Sequence, residues 1–127
     1  MSDFNTLHNR AVWFDIPVAE LKRAAAFYSA VLAVKVETFM EAGFSFAVLE
    51  HSDGNGGCLV PNPADISDKG VMLYLNVDGR IQDAVAKVNL HGGKVLQAVH
   101  AIGPHGFRAV VIDSEGNRVV LHSETDA

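Results

Sequence analysis

The stretch 109–122, AVVIDSEGNRVVLH, sets the terms for the rest of the chain. Apolar, mostly β-branched residues flank Asp113-Ser114-Glu115-Gly116-Asn117, a polar run with a glycine at its turn, which is the pattern of two strands joined as a hairpin. Val110, Val111, Ile112, Val119, Val120 and Leu121 are too dense for a ribbon with one face in water. The remainder of the sequence must cover both faces, or one face and the wall of a ligand cleft.

Upstream elements supply that cover. Residues 11–17 (AVWFDIP) read as a strand closed by a proline that cannot continue a ladder. Leu21, Ala24, Ala25, Tyr28, Val31 and Leu32 recur at helical spacing, with Lys22 and Arg23 on the other side; no Ser, Thr or Asp cap precedes Glu20. Strands are expected over 34–39, 44–50 and 58–60, the last stopped by Pro61 and Pro63. The chain then begins again. A strand over 71–77, an N-cap at Asp78, a helical stripe of Ile81, Ala84, Val85 and Val88 ended by Gly92-Gly93, and strands over 95–99, 107–112 and 118–122 repeat the order β-α-β-β-β.

The offsets support a duplication: Trp13 and Met72 stand 59 positions apart, Lys35 and Lys94 also 59, Phe44 and Phe107 63. Each half-unit is too small to bury its helix and its sheet alone, so two modules, about 9–62 and about 70–123, are expected to pair within a single domain spanning 1–127.

The net charge of −5, with no basic stripe in the sequence to neutralise phosphates, argues against a nucleic-acid or acidic-membrane partner. The single cysteine, Cys58, rules out an intramolecular disulfide and fits a reducing compartment. MSDFNTLHNR has no basic n-region or apolar h-region, and no run is long enough to span a bilayer; a cytoplasmic protein is expected.

Six features in order carry a resemblance: AVWFDIPV, the Arg23-(x)3-Phe27-Tyr28-(x)3-Leu32 helix, Tyr74-Leu75-Asn76-Val77, Gly92-Gly93-Lys94, Ile102-Gly103-(x)-His105-Gly106-Phe107, and Asp113-(x)-Glu115-Gly116-Asn117-Arg118. Together, over about residues 9 to 123, they resemble the vicinal oxygen chelate superfamily, which includes glyoxalase I, bleomycin- and fosfomycin-resistance proteins and extradiol dioxygenases. The resemblance implies an α+β fold: two βαβββ modules forming a curled mixed eight-stranded sheet around a cleft, two helices outside, and a homodimer. Two positions depart from the pattern. Ala33 stands where a helix-ending glycine is common, and Gly79 where a second acidic residue often sits.

The same resemblance puts the family's metal ligands at Trp13, near Leu59 or Val60, at Met72 and at Val120, and a one-residue shift brings in only Cys58 or Leu121. These are not the imidazole and carboxylate donors a divalent cation needs, so no metal and no other cofactor is expected. The candidate ligand-binding residues are Trp13, Phe46, Glu50, Met72, Tyr74, His105, Arg108 and Val120, with no catalytic residue named. The aromatic and apolar members would wall a pocket; His105 sits in the Gly103-Pro104-His105-Gly106 loop at its mouth. Asp15 and Arg118 read as solvated strand residues and Cys58 as a small buried hydrophobe. His8, His51, His91, His100 and His122 match no ligand template.

Three functions follow from different classes. One is a metal-free binder of a small, partly hydrophobic molecule; another is a lyase, isomerase or dioxygenase of the same superfamily, recruiting metal through Glu50, His51, His105 and His122 or working by acid-base chemistry. The third is a non-catalytic structural or regulatory subunit whose cleft is filled by its own side chains.

Overall fold

A computed structural model describes residues 7–127. The first six residues of the MSDFNTLHNR segment lie outside the described part. The chain runs β1 (Asp15–Val18), α1 (Leu21–Leu32), β2 (Val36–Glu41), β3 (Phe44–Leu49), β4 (Cys58–Pro61), then β5 (Tyr74–Asn76), α2 (Ile81–Leu90), β6 (Lys94–Ala101), β7 (Phe107–Ile112) and β8 (Arg118–Ser123). The α+β class and the doubled βαβββ order are present. The eight strands are divided between two mixed four-stranded sheets, ordered β1-β4-β3-β2 and β5-β8-β7-β6, with no ladder joining β1 to β5 among the described residues.

One apolar core serves both modules. Phe27, Tyr28 and Val31 of α1 and Ile81, Ala84 and Val88 of α2 pack with one face of each sheet: Ile16, Val18, Ala47 and Leu59 in the first, Leu75, Ala109, Val111, Val119 and Leu121 in the second. In the terminal hairpin Val110, Val111, Val119, Val120 and Leu121 are buried and Ile112 half-buried, as their density required. Because side chains alternate along a strand, the residues between these core positions point away from the helices. That second face carries the chemistry.

Several boundaries differ from the sequence reading. β1 runs through Pro17, which stands opposite Val60, because β1 is an edge strand and a missing N–H on its open side breaks no ladder. Trp13 and Met72, expected inside the first strand of each module, precede β1 and β5. Asp78 does not cap α2, whose N-cap is Arg80; the Asp78 carboxylate instead accepts from Glu124 N–H and the Ser123 hydroxyl, tying the chain's end to the start of module two.

The missing cap of α1 is supplied from the other module. Glu115, in the β7–β8 turn, accepts from Ala19 N–H (3.0 Å) and Glu20 N–H (2.8 Å) and takes a two-point contact from Arg23. Glu20 N–H is one of the orphan donors of the helix N-terminus, where negative charge is favoured, and Ala19 N–H stands just before it. Burial opposes ionisation of Glu115, but the bonds from Arg23, Glu20, Ser114 and Ala19 outweigh it and hold the carboxyl at about 2. Beneath it, Asp113 accepts from Glu115, Gly116 and Asn117 N–H and from the buried Tyr28 hydroxyl at 2.5 Å, while Asn117 reaches the Pro17 carbonyl. Burial and the Asp113 charge raise the Tyr28 phenol well above its ordinary value. The DSEGN turn thus fastens the modules together.

Candidate functional site

Residues of both modules meet in a cleft of about 430 Å³. Phe14, Leu32, Val34 and Leu49 give it apolar walls, and Glu50, His51, Tyr74 and Asn76 polar groups. The 51–57 loop is held in place around these groups. Glu50 accepts from the Ser52 N–H and hydroxyl, and a carbonyl can only accept, so the His51 Nδ1 contact to Gly54 O (2.9 Å) puts the proton on Nδ1. The Trp13 ring meets His51 edge-on at 5.7 Å between centroids, beside the cleft. Gly57 admits the Phe14 ring, which any Cβ there would strike.

On the second sheet, strand register builds a polar row on the face away from the helices. Asn76 stands opposite His122, His122 opposite Arg108, and Arg108 opposite His100, so four strands each contribute one polar side chain. Arg108 donates through Nη1 to Tyr74 Oη at 2.6 Å and through Nε to His100 Nε2 at 3.1 Å. His100 Nδ1 in turn donates to Ala98 O at 2.8 Å, which fixes a neutral Nδ1–H tautomer. His122 Nε2 donates to the His105 carbonyl at 2.7 Å. A recess of about 310 Å³, lined by Tyr74, Leu75, Asn76, Ile102, His105 and His122, adjoins this row. Tyr74, Leu75 and Asn76 line both cavities.

The eight residues named from sequence are therefore dispersed. Glu50 and Tyr74 line the cleft, Tyr74 and His105 the recess, and Arg108 stands bonded to Tyr74. Phe46 is on the first sheet, stacked on Phe39 at 5.7 Å. Met72 is half-buried ahead of β5. Val120 has no exposed surface, so it cannot wall an open cavity. Asn76, Phe14 and the pairing of His122 with Arg108 were not singled out; the alternation about Leu75, Ala109 and Leu121 was the signal for the last.

No family model matches the chain. A glyoxylase-like domain-containing protein from Didymella fabae is 30% identical over 112 residues, covering 78% of this chain and 80% of that protein. The chain belongs to the glyoxalase-like family. Solved structures agree on the fold. A hypothetical protein from S. aureus superimposes with a TM-score of 0.72 at 20% identity, covering 91% of this chain and 94% of that one. A glyoxalase/bleomycin resistance protein/dioxygenase family enzyme from Burkholderia phytofirmans gives 0.68 at 17%, covering 87% and 95%. A fosfomycin resistance protein from Listeria monocytogenes gives 0.68 at 9%, covering 92% and 94%. The glyoxalase-like chain thus falls in the vicinal oxygen chelate superfamily.

The residues of this glyoxalase-like chain do not fit the superfamily's divalent metal. Trp13, Leu59, Val60, Met72 and Val120 carry no donor atom of the required kind, Trp13 and Met72 lie outside the strands, and Leu59 and Val120 are sealed. Cys58, one residue before Leu59, donates a hydrogen bond to Asp15 Oδ1 at 3.1 Å, and burial together with that bond raises the thiol to about 11. No group of three His, Cys, Asp or Glu side chains converges on a common point among the described residues. Nor does any described helix have the length and apolarity to cross a membrane.

Proposed function

We propose that the protein binds a small, partly hydrophobic molecule in the cleft between its modules, without a metal, and does so as a homodimer. The observation that carries this reading is the cleft itself. At about 430 Å³, with apolar walls and a few convergent polar groups, it has the size and character of a small-molecule site. The donor chemistry at the metal positions supports a role in which shape and hydrogen bonding, rather than Lewis acidity, act on the ligand. Phe39 and Phe44, exposed on the first sheet, are the surface a second copy would cover.

A thermal-shift panel of small aromatic and aliphatic compounds in chelator tests the binding reading, since a native-state ligand stabilises by RT ln(1 + [L]/Kd). Compounds that raise the midpoint, and lose that effect when the cleft wall is filled by Leu49→Trp, support it. A panel whose hits respond only after divalent metal is added contradicts it. Light scattering at tens of micromolar protein tests the assembly, and monomer mass alone would contradict the dimer.

A further inference from the structure

Building on the cleft-binding reading, we propose that the Tyr74 end of the cleft is an anion subsite that takes the carboxylate of a small organic acid, with Tyr74 and Arg108 as its recognition pair. Among the described residues no side chain balances the charge of Arg108. Arg108 is half-buried in the middle of the second sheet, and its two partners, Tyr74 Oη and His100 Nε2, belong to neutral groups. The ion pairs among the described residues involve Arg23, Arg80 and Lys87, and none reaches Arg108. A guanidinium partly withdrawn from water is stabilised by an anion, and this one has none of its own.

Hydrogen-bond direction then says where the anion goes. A guanidinium only donates, so Tyr74 Oη is the acceptor of the 2.6 Å bond and its own proton is directed elsewhere. Tyr74 is 47% exposed and lines both cavities, so that proton is offered to whatever occupies them. His100 cannot be the recipient of the charge, because its Nδ1–H is spent on Ala98 and its Nε2 lone pair on Arg108. No acidic side chain lines the recess, Asn76 adds an amide beside it, and the one carboxylate of the adjoining cleft, Glu50, is engaged by the Ser52 N–H and hydroxyl. In a chain of net charge −5, the Arg108 guanidinium and the donors beside it set this spot apart from the bulk charge.

A carboxylate satisfies both halves of the pair at once: one oxygen takes the Tyr74 proton while the charge answers Arg108. The remainder of the molecule would lie against Phe14, Leu32 and Leu49. The ligand class is thus an amphiphilic monocarboxylate of small size. Arg108 acts here through Tyr74, as a positioning and charge-supplying residue.

The test compares phenylacetate with its neutral isostere phenylacetamide on the full chain at low salt, by calorimetry and by NMR of the Arg108 Nε–H. Phenylacetate is expected to bind, to shift that resonance, and to lose about tenfold or more in affinity in Arg108→Gln, the size of a charge-assisted contact. Tyr74→Phe, at an exposed position where the fold is not at risk, should weaken it several-fold, and Arg108→Lys should fall between wild type and Arg108→Gln. Equal binding of the two probes, with no effect of Arg108→Gln, overturns the anion subsite and leaves cleft binding standing. Failure of phenylacetate, acetate and phosphate alike to move the Arg108 resonance at millimolar concentration overturns it too, independently of any neutral hit in the thermal-shift panel.

Discussion

Replacing Glu115 by Gln changes one atom at the junction of the modules and should weaken the fold in a pH-dependent way. The Glu115 side chain is fully buried, and its two oxygens hold Ala19 N–H, Glu20 N–H, the Ser114 hydroxyl and the Nε and Nη2 donors of Arg23. Lowering a carboxyl from 4.5 to about 2 corresponds to about 3 kcal/mol of stabilisation. Arg23 is 49% exposed, so solvent screens its share, and about 2 kcal/mol is the expected cost of Glu115→Gln at neutral pH. Because the folded-state value lies below the unfolded one, this stability is fully present above 4.5 and disappears as pH falls from there towards 2. Urea unfolding of both proteins between pH 7 and pH 3 reads the difference directly. The gap should be widest at neutral pH and narrow steadily below 4.5. A gap under about 0.5 kcal/mol at pH 7, the size of an ordinary surface substitution, or one that does not change with pH, would refute the inter-module cap.

Other positions give independent checks. Ala33 closes α1 in the left-handed region at φ 54°, so Ala33→Gly should stabilise by about 1 kcal/mol in the same assay, and any loss would mean that the end is held differently. A Cβ on Gly93 would fall 2.6 Å from Ile112 O, 2.7 Å from Phe27 and 2.8 Å from Val88, so Gly93→Ala should cost about 2–3 kcal/mol by denaturation. Cys58, with its thiol at about 11, should resist iodoacetamide at pH 8 in the native state and react in urea; rapid native labelling would contradict the bond to Asp15.

What could be read from the sequence was what depends on local periodicity. The dense hairpin, the two helical stripes and the repeated element order all appear in the fold, since each follows from neighbours a few residues apart. What depends on contacts between modules could not be read this way. The α1 cap comes from Glu115, 95 positions beyond Glu20, and Asp78 looked like a cap although its carboxylate is engaged by the chain's end. Trp13 and Met72 were placed at the first-strand positions by analogy, but β1 and β5 begin two residues later. The pairing of Arg108 with His122 follows from the tight DSEGN turn and was within reach. That of Arg108 with His100 was not, because two irregularities in the β6–β7 ladder shift its register.

We propose that this glyoxalase-like chain works without the superfamily's metal. Calorimetric titration of chelator-treated protein with Zn²⁺, Mn²⁺, Ni²⁺ and Fe²⁺, with metal analysis of protein purified without chelator, tests it most directly. No saturable heat, no stoichiometric metal and unchanged binding of the panel's hits in chelator are the expected results. One equivalent of tightly bound metal that ligand binding requires would contradict metal-free binding, and would mean that donors outside Trp13, Leu59, Val60, Met72 and Val120 assemble a centre on this fold.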